Sequence, residues 1–407
     1  MTVLMGLEVA GRDVLVAGGG PVAARRAASL AEQGARVTVV APQLCEDLVD
    51  LVAAAQARWV DREVREADLE DCWLVHAATD DPRANDEVCR WATERRIWSV
   101  NAGGATAGTA RTPATTSVGG LAVGVVSTGS PDPRRTSAVR DQLATVLDEG
   151  TLDLRARRSG AGSGRVILVG GGPGAEDLMT VRARRALAEA DVVVTDRLGP
   201  VSVLTRLPES VEVIDVGKAP GRHAVPQEEV NRIIVEQAER GRTVVRLKGG
   251  DPFLFGRGGE EAIACRAHGI PVEVVPGVSS AIAAPAAAGI PVTHRGTSAS
   301  VHITHGHGPL APSAITCVVQ DSATLVLLMG VSTLAEHVAQ LLAAGASADT
   351  PVAIVERATL DSERTTRATL ATVVAAAQAA AVEAPAVIVI GATATEGLLG
   401  GPAGAAG

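Results

Sequence analysis

At 407 residues the chain is long for one hydrophobic core, so two or three domains are expected. Hydrophobic residues at 46% and charged residues at 20% exclude a disordered chain, and aromatics at 1% with no tyrosine exclude a base-stacking surface for nucleic acid. The net charge of −9 argues against a general polyanion binder and leaves room for a local basic pocket.

The chain opens without a secretory pattern, because Glu8, Arg12 and Asp13 interrupt the first apolar run. Residues 13 to 40 then read strand, glycine turn, helix, strand: DVLVA, GGG, an Ala/Arg-rich helix stopped by Gly34, and RVTVV. WLVHAAT and a helix around NDEVCRWATERR continue the alternation, so a parallel α/β domain is expected over 1–112. The segment 113–162 reads as one strand, one helix and the basic, Gly/Ser-rich linker LRARRSGAGSGR. The pattern restarts at RVILVGGGPG, and a second α/β domain is expected over 163–400. EVVPGVSS marks a hinge between lobes of about 163–275 and 276–400, with TLVLLMG, PVAIVE and PAVIVIG as core strands of the second. The tail GGPAGAAG reads as frayed.

Five scattered cysteines without a CxxC pattern read as reduced thiols, and a proline-broken apolar window at 274–292 suits a folded loop and helix better than a bilayer span. A cytoplasmic protein is expected.

Two glycine loops differ in meaning. GGGPVA fits G-x-G-x-x-A: Gly18 makes the tight turn, Gly20 lets backbone approach a pyrophosphate, and Ala23 packs the helix. The second strand ends in VVAPQ, without an acidic residue for a ribose hydroxyl, so on motif alone dinucleotide binding stands level with a phosphate or structural turn. GGGPG at 170–174 places Pro173 where a phosphate would want a donor. It is either a helix-starting turn or a loop against which a nucleoside without phosphates packs. HITHGH suggests a metal through His302, His305 and His307, yet no carboxylate or cysteine accompanies them, and no metal site is expected.

VGGGPG, VVVTDRL, DVGKAPG, VPQEEVN, VVRLKGGDPFLFGRGGEE, VVPGVSSAIA, IPVTHR, LLMG and PAVIVIG stand in the order and spacing of the uroporphyrinogen III C-methyltransferases, so the C-terminal part resembles that S-adenosylmethionine (SAM)-dependent family. The N-terminal GGGPVAARRAASLAEQGARVTVVAP and AATDD resemble the precorrin-2 dehydrogenase/sirohydrochlorin ferrochelatase module, and a chain with both resembles the siroheme synthase family. The resemblance implies a Rossmann-like NAD-binding domain, a short middle segment and a two-lobed tetrapyrrole methyltransferase fold.

It further implies a SAM site at Pro173, Gly249, Gly250, Asp251, Leu254, Ser279, Ser280, Met329 and Ala358, where Ala358 replaces a frequent glycine. Gly18, Gly20, Pro21, Val22, Pro42 and Gln43 match NAD-contact positions. Glu260, Arg295 and Ser127 match substrate-binding positions. Arg257 is a candidate to remove a meso proton, and Asp196 and Lys218 match a proton acceptor and donor. Read alone, Asp196 is a helix cap, Lys218 a solvated strand end and Met329 a core residue; the ordered motifs reverse that preference. His307 falls to the loop near the substrate.

The N-terminal module departs from its family at Gly103, where a catalytic aspartate is expected; Asp80 and Asp81 are the nearest substitutes by sequence, with helix capping their plainer use. Methylation of uroporphyrinogen III to precorrin-2 is expected from the C-terminal resemblance, followed by NAD-dependent oxidation and Fe2+ insertion if the N-terminal module works; the missing carboxylate at Gly103 implies that NAD binding survives while dehydrogenase and chelatase activity is low or absent. A methyltransferase with an impaired N-terminal module, a plain NAD oxidoreductase and a non-catalytic sensor are the alternatives. Family members are dimers, and a homodimer is expected without nucleic-acid or membrane partners.

Overall fold

The computed structural model describes residues 2–104, 107–118, 120–149, 152–155, 164–196, 199–217 and 225–400. Internal contacts divide the chain into Met1–Thr145 and Val146–Gly407.

The first unit begins with β1 (Asp13–Ala17), α1 (Pro21–Glu32), β2 (Arg36–Val40), α2 (Glu46–Ala53), β3 (Ala57–Val60), β4 (Leu74–Ala77), α3 (Pro82–Glu94) and β5 (Trp98–Asn101). The five strands form a parallel sheet in the order β3-β2-β1-β4-β5. Its central strands are runs of Val, Leu and Ala buried on both faces, as a parallel sheet covered by helices requires. Pro21 opens α1 and Pro82 opens α3, where a missing N–H costs nothing. Asp81 caps α3, accepting from the Arg83 amide at 2.9 Å.

An antiparallel hairpin of β6 (Ala114–Val118) and β7 (Leu121–Val125) follows, then α4 (Pro133–Asp148). Sequence reading expected one strand here. The Thr/Ser-rich ATTSV segment lacks a hydrophobic run, and it becomes a strand because β7 is its partner.

The second unit starts with β8 (Arg165–Gly170), α5 (Val181–Ala188), β9 (Val192–Thr195), α6 (Val201–Leu204), β10 (Glu212–Asp215), α7 (Gln227–Glu239), β11 (Thr243–Lys248), α8 (Gly258–Ala267) and β12 (Val272–Val275). Its sheet is parallel, in the order β10-β9-β11-β8-β12. Connections leaving the neighbours β8 and β11 run in opposite directions, to β9 and to β12. Open α/β sheets bind ligands at such a switch point, beyond the carboxyl ends of the strands.

A second sheet follows α9 (Ser280–Ala287): β13 (Val301–His305), α10 (Pro312–Val319), β14 (Thr324–Leu328), α11 (Leu334–Ala343), β15 (Pro351–Glu356), β16 (Arg364–Thr369), α12 (Val373–Ala379) and β17 (Ala386–Ile390). Its order is β13-β14-β17-β15-β16, parallel between β13 and β14 and antiparallel elsewhere. Val326, Val355 and Val387 of this sheet bury one face against Ala281 and Ala284 of α9 and against Leu254, which ties the loop after β11 to the second lobe. No helix among the described residues is long and apolar enough to cross a membrane.

Candidate active sites at the carboxyl edges of the sheets

In the second unit, three chain segments meet backbone to backbone. A methyl group at Gly277 would lie 2.2 Å from the Gly250 carbonyl oxygen, and one at Gly170 would lie 2.5 Å from the Gly277 nitrogen. Gly250 and Gly172 exchange amide hydrogen bonds at 2.7 and 3.2 Å. Only residues without side chains fit, and the result is a wall of bare amides. Asp251 locks that wall: its carboxylate accepts from the Gly277 amide at 3.1 Å and the Phe253 amide at 2.9 Å.

Several of the expected cofactor positions lie around this wall. Gly250 abuts Ser279 and Ser280, and Ser279 also caps α9 through the Ala281 amide at 3.2 Å. Pro173 lies in the loop after β8, and the next residues touch the loop after β15: Ala175 donates to the Thr359 hydroxyl at 3.2 Å, and Gly174 meets Leu360. Ala358, in that second loop, is buried in the same apolar cluster as Leu254. Met329 is not a core residue. It lies one position past β14 in left-handed backbone (φ 57°) and is 39% exposed.

The loop after β11 holds further strain. Phe255 and Arg257 both have left-handed backbone, with φ of 55° and 57°, costing roughly 1 to 2 kcal/mol each. The turn projects Arg257 outward, where it grips Glu260 in a two-pronged pair at 2.8 and 2.7 Å. Both side chains are half exposed, so this pair is weak and can open for a competing carboxylate. His305 stands edge-on to Phe255 at 5.5 Å, and His307 lies 6.2 Å beyond it. His302 is half-buried on β13, and Arg295 is exposed beyond α9.

Asp196 is engaged in an ion pair. Its carboxylate accepts from Arg246 Nη2 at 3.0 Å. Arg246 Nε and Lys248 Nζ both donate to Glu261 Oε1 at 3.0 Å, and Glu261 Oε2 has no hydrogen-bond partner among the described residues. Glu261 is 0% exposed, and Arg246 and Lys248 are 4% exposed. Burial, reinforced by the Arg246 charge and opposed by Glu261, lowers the Lys248 pKa below its ordinary value. Sequence reasoning missed this network. Its signal was VVRLK, which places two cations in a run that otherwise reads as buried. Lys218 lies outside the described residues.

In the first unit the glycine turn is also forced. A methyl at Gly18 would meet the Ala78 carbonyl oxygen at 2.2 Å, and one at Gly19 would meet the Gln43 carbonyl oxygen at 1.7 Å. Gly20 faces open space, and no side chain caps α1, so Pro21 and the exposed Val22 begin a helix whose amino end is open to an anion. Pro42 and Gln43 border the same turn, which Cys45 closes by donating to the Gly19 carbonyl at 2.7 Å. These residues fit a diphosphate held by backbone. Ser127 lies elsewhere in the unit; its hydroxyl accepts from the Asp132 amide at 3.2 Å ahead of α4.

A polar platform stands beside the turn. Asn85 accepts from the Thr79 amide at 2.9 Å and donates to the Thr79 carbonyl at 2.9 Å. Asn101 accepts from the Gly103 and Gly104 amides at 2.9 and 3.0 Å and donates to Asp86 at 2.9 Å.

Comparison with known proteins follows this division. Residues 165–374 match the tetrapyrrole (corrin/porphyrin) methylases, and residues 5–114 match a putative NAD(P)-binding family. The chain is 35% identical to siroheme synthase 3 of Aeromonas hydrophila, covering 94% of this chain and 93% of that one. It is 37% identical to a siroheme synthase of Pseudomonas aeruginosa, covering 94% of each. The X-ray structure of a cobalamin biosynthetic enzyme, cobalt precorrin-4 methyltransferase, superposes with a TM-score of 0.53 at 26% identity, covering 59% of this chain and 100% of that one. With near-complete coverage of relatives above the level at which family is secure, the chain belongs to the siroheme synthase family.

Proposed function

We propose that the second unit methylates uroporphyrinogen III with SAM to give precorrin-2, and that the first unit oxidises precorrin-2 with NAD and inserts Fe2+ as a substrate. The observation that carries this reading is the glycine wall of Gly170, Gly250 and Gly277, beside the apolar cluster that holds Leu254 and Ala358, at the switch point of a parallel sheet. Bare amides beside a small apolar cluster suit a nucleoside with a thioether-like chain, so the donor set fits SAM. When bound, SAM supplies a methyl group already activated on a sulfonium.

The chain's own residues then position and handle protons. Orientation alone contributes up to roughly 7 to 11 kcal/mol to such a transfer. Pro173, Gly249, Gly250, Asp251, Ser279 and Ser280 hold the donor. Arg257 and Arg295 hold the carboxylate-rich macrocycle, because a guanidinium fork matches a carboxylate, and Glu260 beside them is the exposed partner that Arg257 can exchange for a substrate carboxylate. By the resemblance Arg257 is also the candidate to remove the meso proton, with Asp196 as proton acceptor and Lys218 as proton donor; its bond to Glu260 raises the Arg257 pKa, so the guanidinium has to give up that partner before it can act as a base.

In the first unit Gly18, Gly20, Pro21, Val22, Pro42 and Gln43 hold NAD, which serves as hydride acceptor, and Ser127 binds the macrocycle. The chain works as a cytoplasmic homodimer. Support for the dimer is an exposed apolar stripe on α4, where Val139, Leu143 and Val146 recur at helical spacing. A plain NAD oxidoreductase leaves the methylase match over 165–374 without a role.

The test is stepwise. Purified protein is incubated with uroporphyrinogen III and SAM carrying a labelled methyl, products are read by mass and absorbance, and NAD and Fe2+ are then added in turn. Label should reach the macrocycle in the first step, and the absorbance of sirohydrochlorin should follow NAD. A macrocycle that stays unlabelled defeats the reading.

A further inference from the structure

Oxidation of precorrin-2 removes two hydrogens. One leaves with its bonding pair to NAD+, which becomes NADH, and the other leaves as a proton that needs an acceptor on the protein. This inference rests on the dehydrogenase reading above. The loop after β5 offers no carboxylate, since Gly103 and Gly104 occupy it. Asp81 is engaged as the cap of α3.

From this geometry we propose that Asp86, on the first turns of α3, is the proton acceptor of the first unit and that Asn101 is the residue that positions it. Asn101 is buried at the carboxyl end of β5, and its side-chain oxygen accepts from both glycine amides. Those two bonds fix the plane of the amide and leave its nitrogen one direction, toward Asp86 at 2.9 Å. An exposed carboxylate needs no buried anchor for stability, because water satisfies it. Anchoring instead confines it to one rotamer, and that is what proton transfer requires. The anchored group belongs to a connected edge. Asn85, next in sequence, binds Thr79, whose neighbour Ala78 touches the nucleotide-type turn at Gly18. In the assigned step the Asp86 carboxylate takes the proton, becomes the acid and passes it to water.

The geometry also supplies a rescue. A Cβ at Gly103 would lie 3.6 Å from both Asn101 Oδ1 and Asn85 Nδ2, ordinary contact distances, so an aspartate fits there. The experiment uses the full chain, NAD+, and precorrin-2 made by a separate methyltransferase, which removes dependence on the second unit. Asp86→Asn should slow oxidation by about 100-fold or more, with melting temperature and NAD+ affinity unchanged, and Asp86→Asn with Gly103→Asp should regain at least about tenfold. Asn101→Ala should lower kcat with little change in KM.

A second readout needs no NAD. Sirohydrochlorin binding to NAD-free protein, followed by absorbance, should weaken several-fold in Asp86→Asn and stay unchanged in the cap-preserving control Asp81→Asn. Wild-type oxidation with Asp86→Asn within about threefold of it, or equal sirohydrochlorin affinity in all three proteins, overturns the assignment alone. Wild-type protein that leaves precorrin-2 unoxidised overturns the dehydrogenase reading and this assignment with it.

Discussion

Replacing Arg246 with methionine should be among the most destabilising single changes in the second unit. Arg246 donates to buried Glu261, to Asp196 and to the Leu247 carbonyl, at 3.0, 3.0 and 2.9 Å. Its removal leaves Glu261 with one unpartnered oxygen and a single cation, Lys248. Stranding one member of a buried pair costs about 3 to 5 kcal/mol, and the lower end applies because Lys248 still faces the carboxylate. For a unit of this size that corresponds to a melting-temperature drop of roughly 6 to 12 °C, read by scanning calorimetry on the full chain. Glu261→Gln combined with Arg246→Met should cost less than the two single changes added, by about 0.5 to 3 kcal/mol. The exposed cluster of Arg232 with Glu229 and Glu236 provides the contrast, and Arg232→Met should melt with the wild type. If Arg246→Met also melts with the wild type, the network is not a buried electrostatic assembly and the reasoning fails.

Burial, with Arg26 adding to it, pushes the His76 imidazole from 6.5 down to about 4. The unfolded chain therefore takes a proton the folded one refuses: stability is full above pH 6.5 and falls as pH drops toward 4, by up to roughly 3 kcal/mol, and His76→Leu should flatten this part of the pH–denaturation curve. Gly277→Ala drives a methyl into the Gly250 carbonyl, so calorimetry should find S-adenosylhomocysteine binding weakened on the order of 100-fold with NAD binding intact; unchanged thioether affinity would count against the glycine wall as the binding surface. Leu143→Glu places a charge in the α4 stripe and should shift sedimentation from dimer to monomer.

The sequence made the parallel sheets legible because their strands are continuous Val/Leu/Ile runs ended by glycine, as in DVLVA and RVILVG. It made the glycine turns legible because Gly18 and Gly170 stand where no side chain fits. The hairpin escaped because ATTSV is a strand only through its partner. The Arg246 network escaped because residues 196, 246, 248 and 261 meet only when three separate elements pack. No local pattern joins Asp86 to Asn101 either, since a helix and a strand end must first be brought side by side. Met329 reads as core by its run, and only its left-handed backbone one residue past β14 turns it outward.

Where main chain presses on main chain, as at Gly170, Gly250 and Gly277, nothing compressible lies between the segments. A lineage seeking a larger or smaller donor could not retune that spacing by swapping side chains; it would have to rebuild three loops together. Diversification is left to the rim, where Phe253, Phe255 and Leu360 stand in solvent and can change one at a time. On the proposed reading, such a layout holds the donor constant while permitting the acceptor to vary.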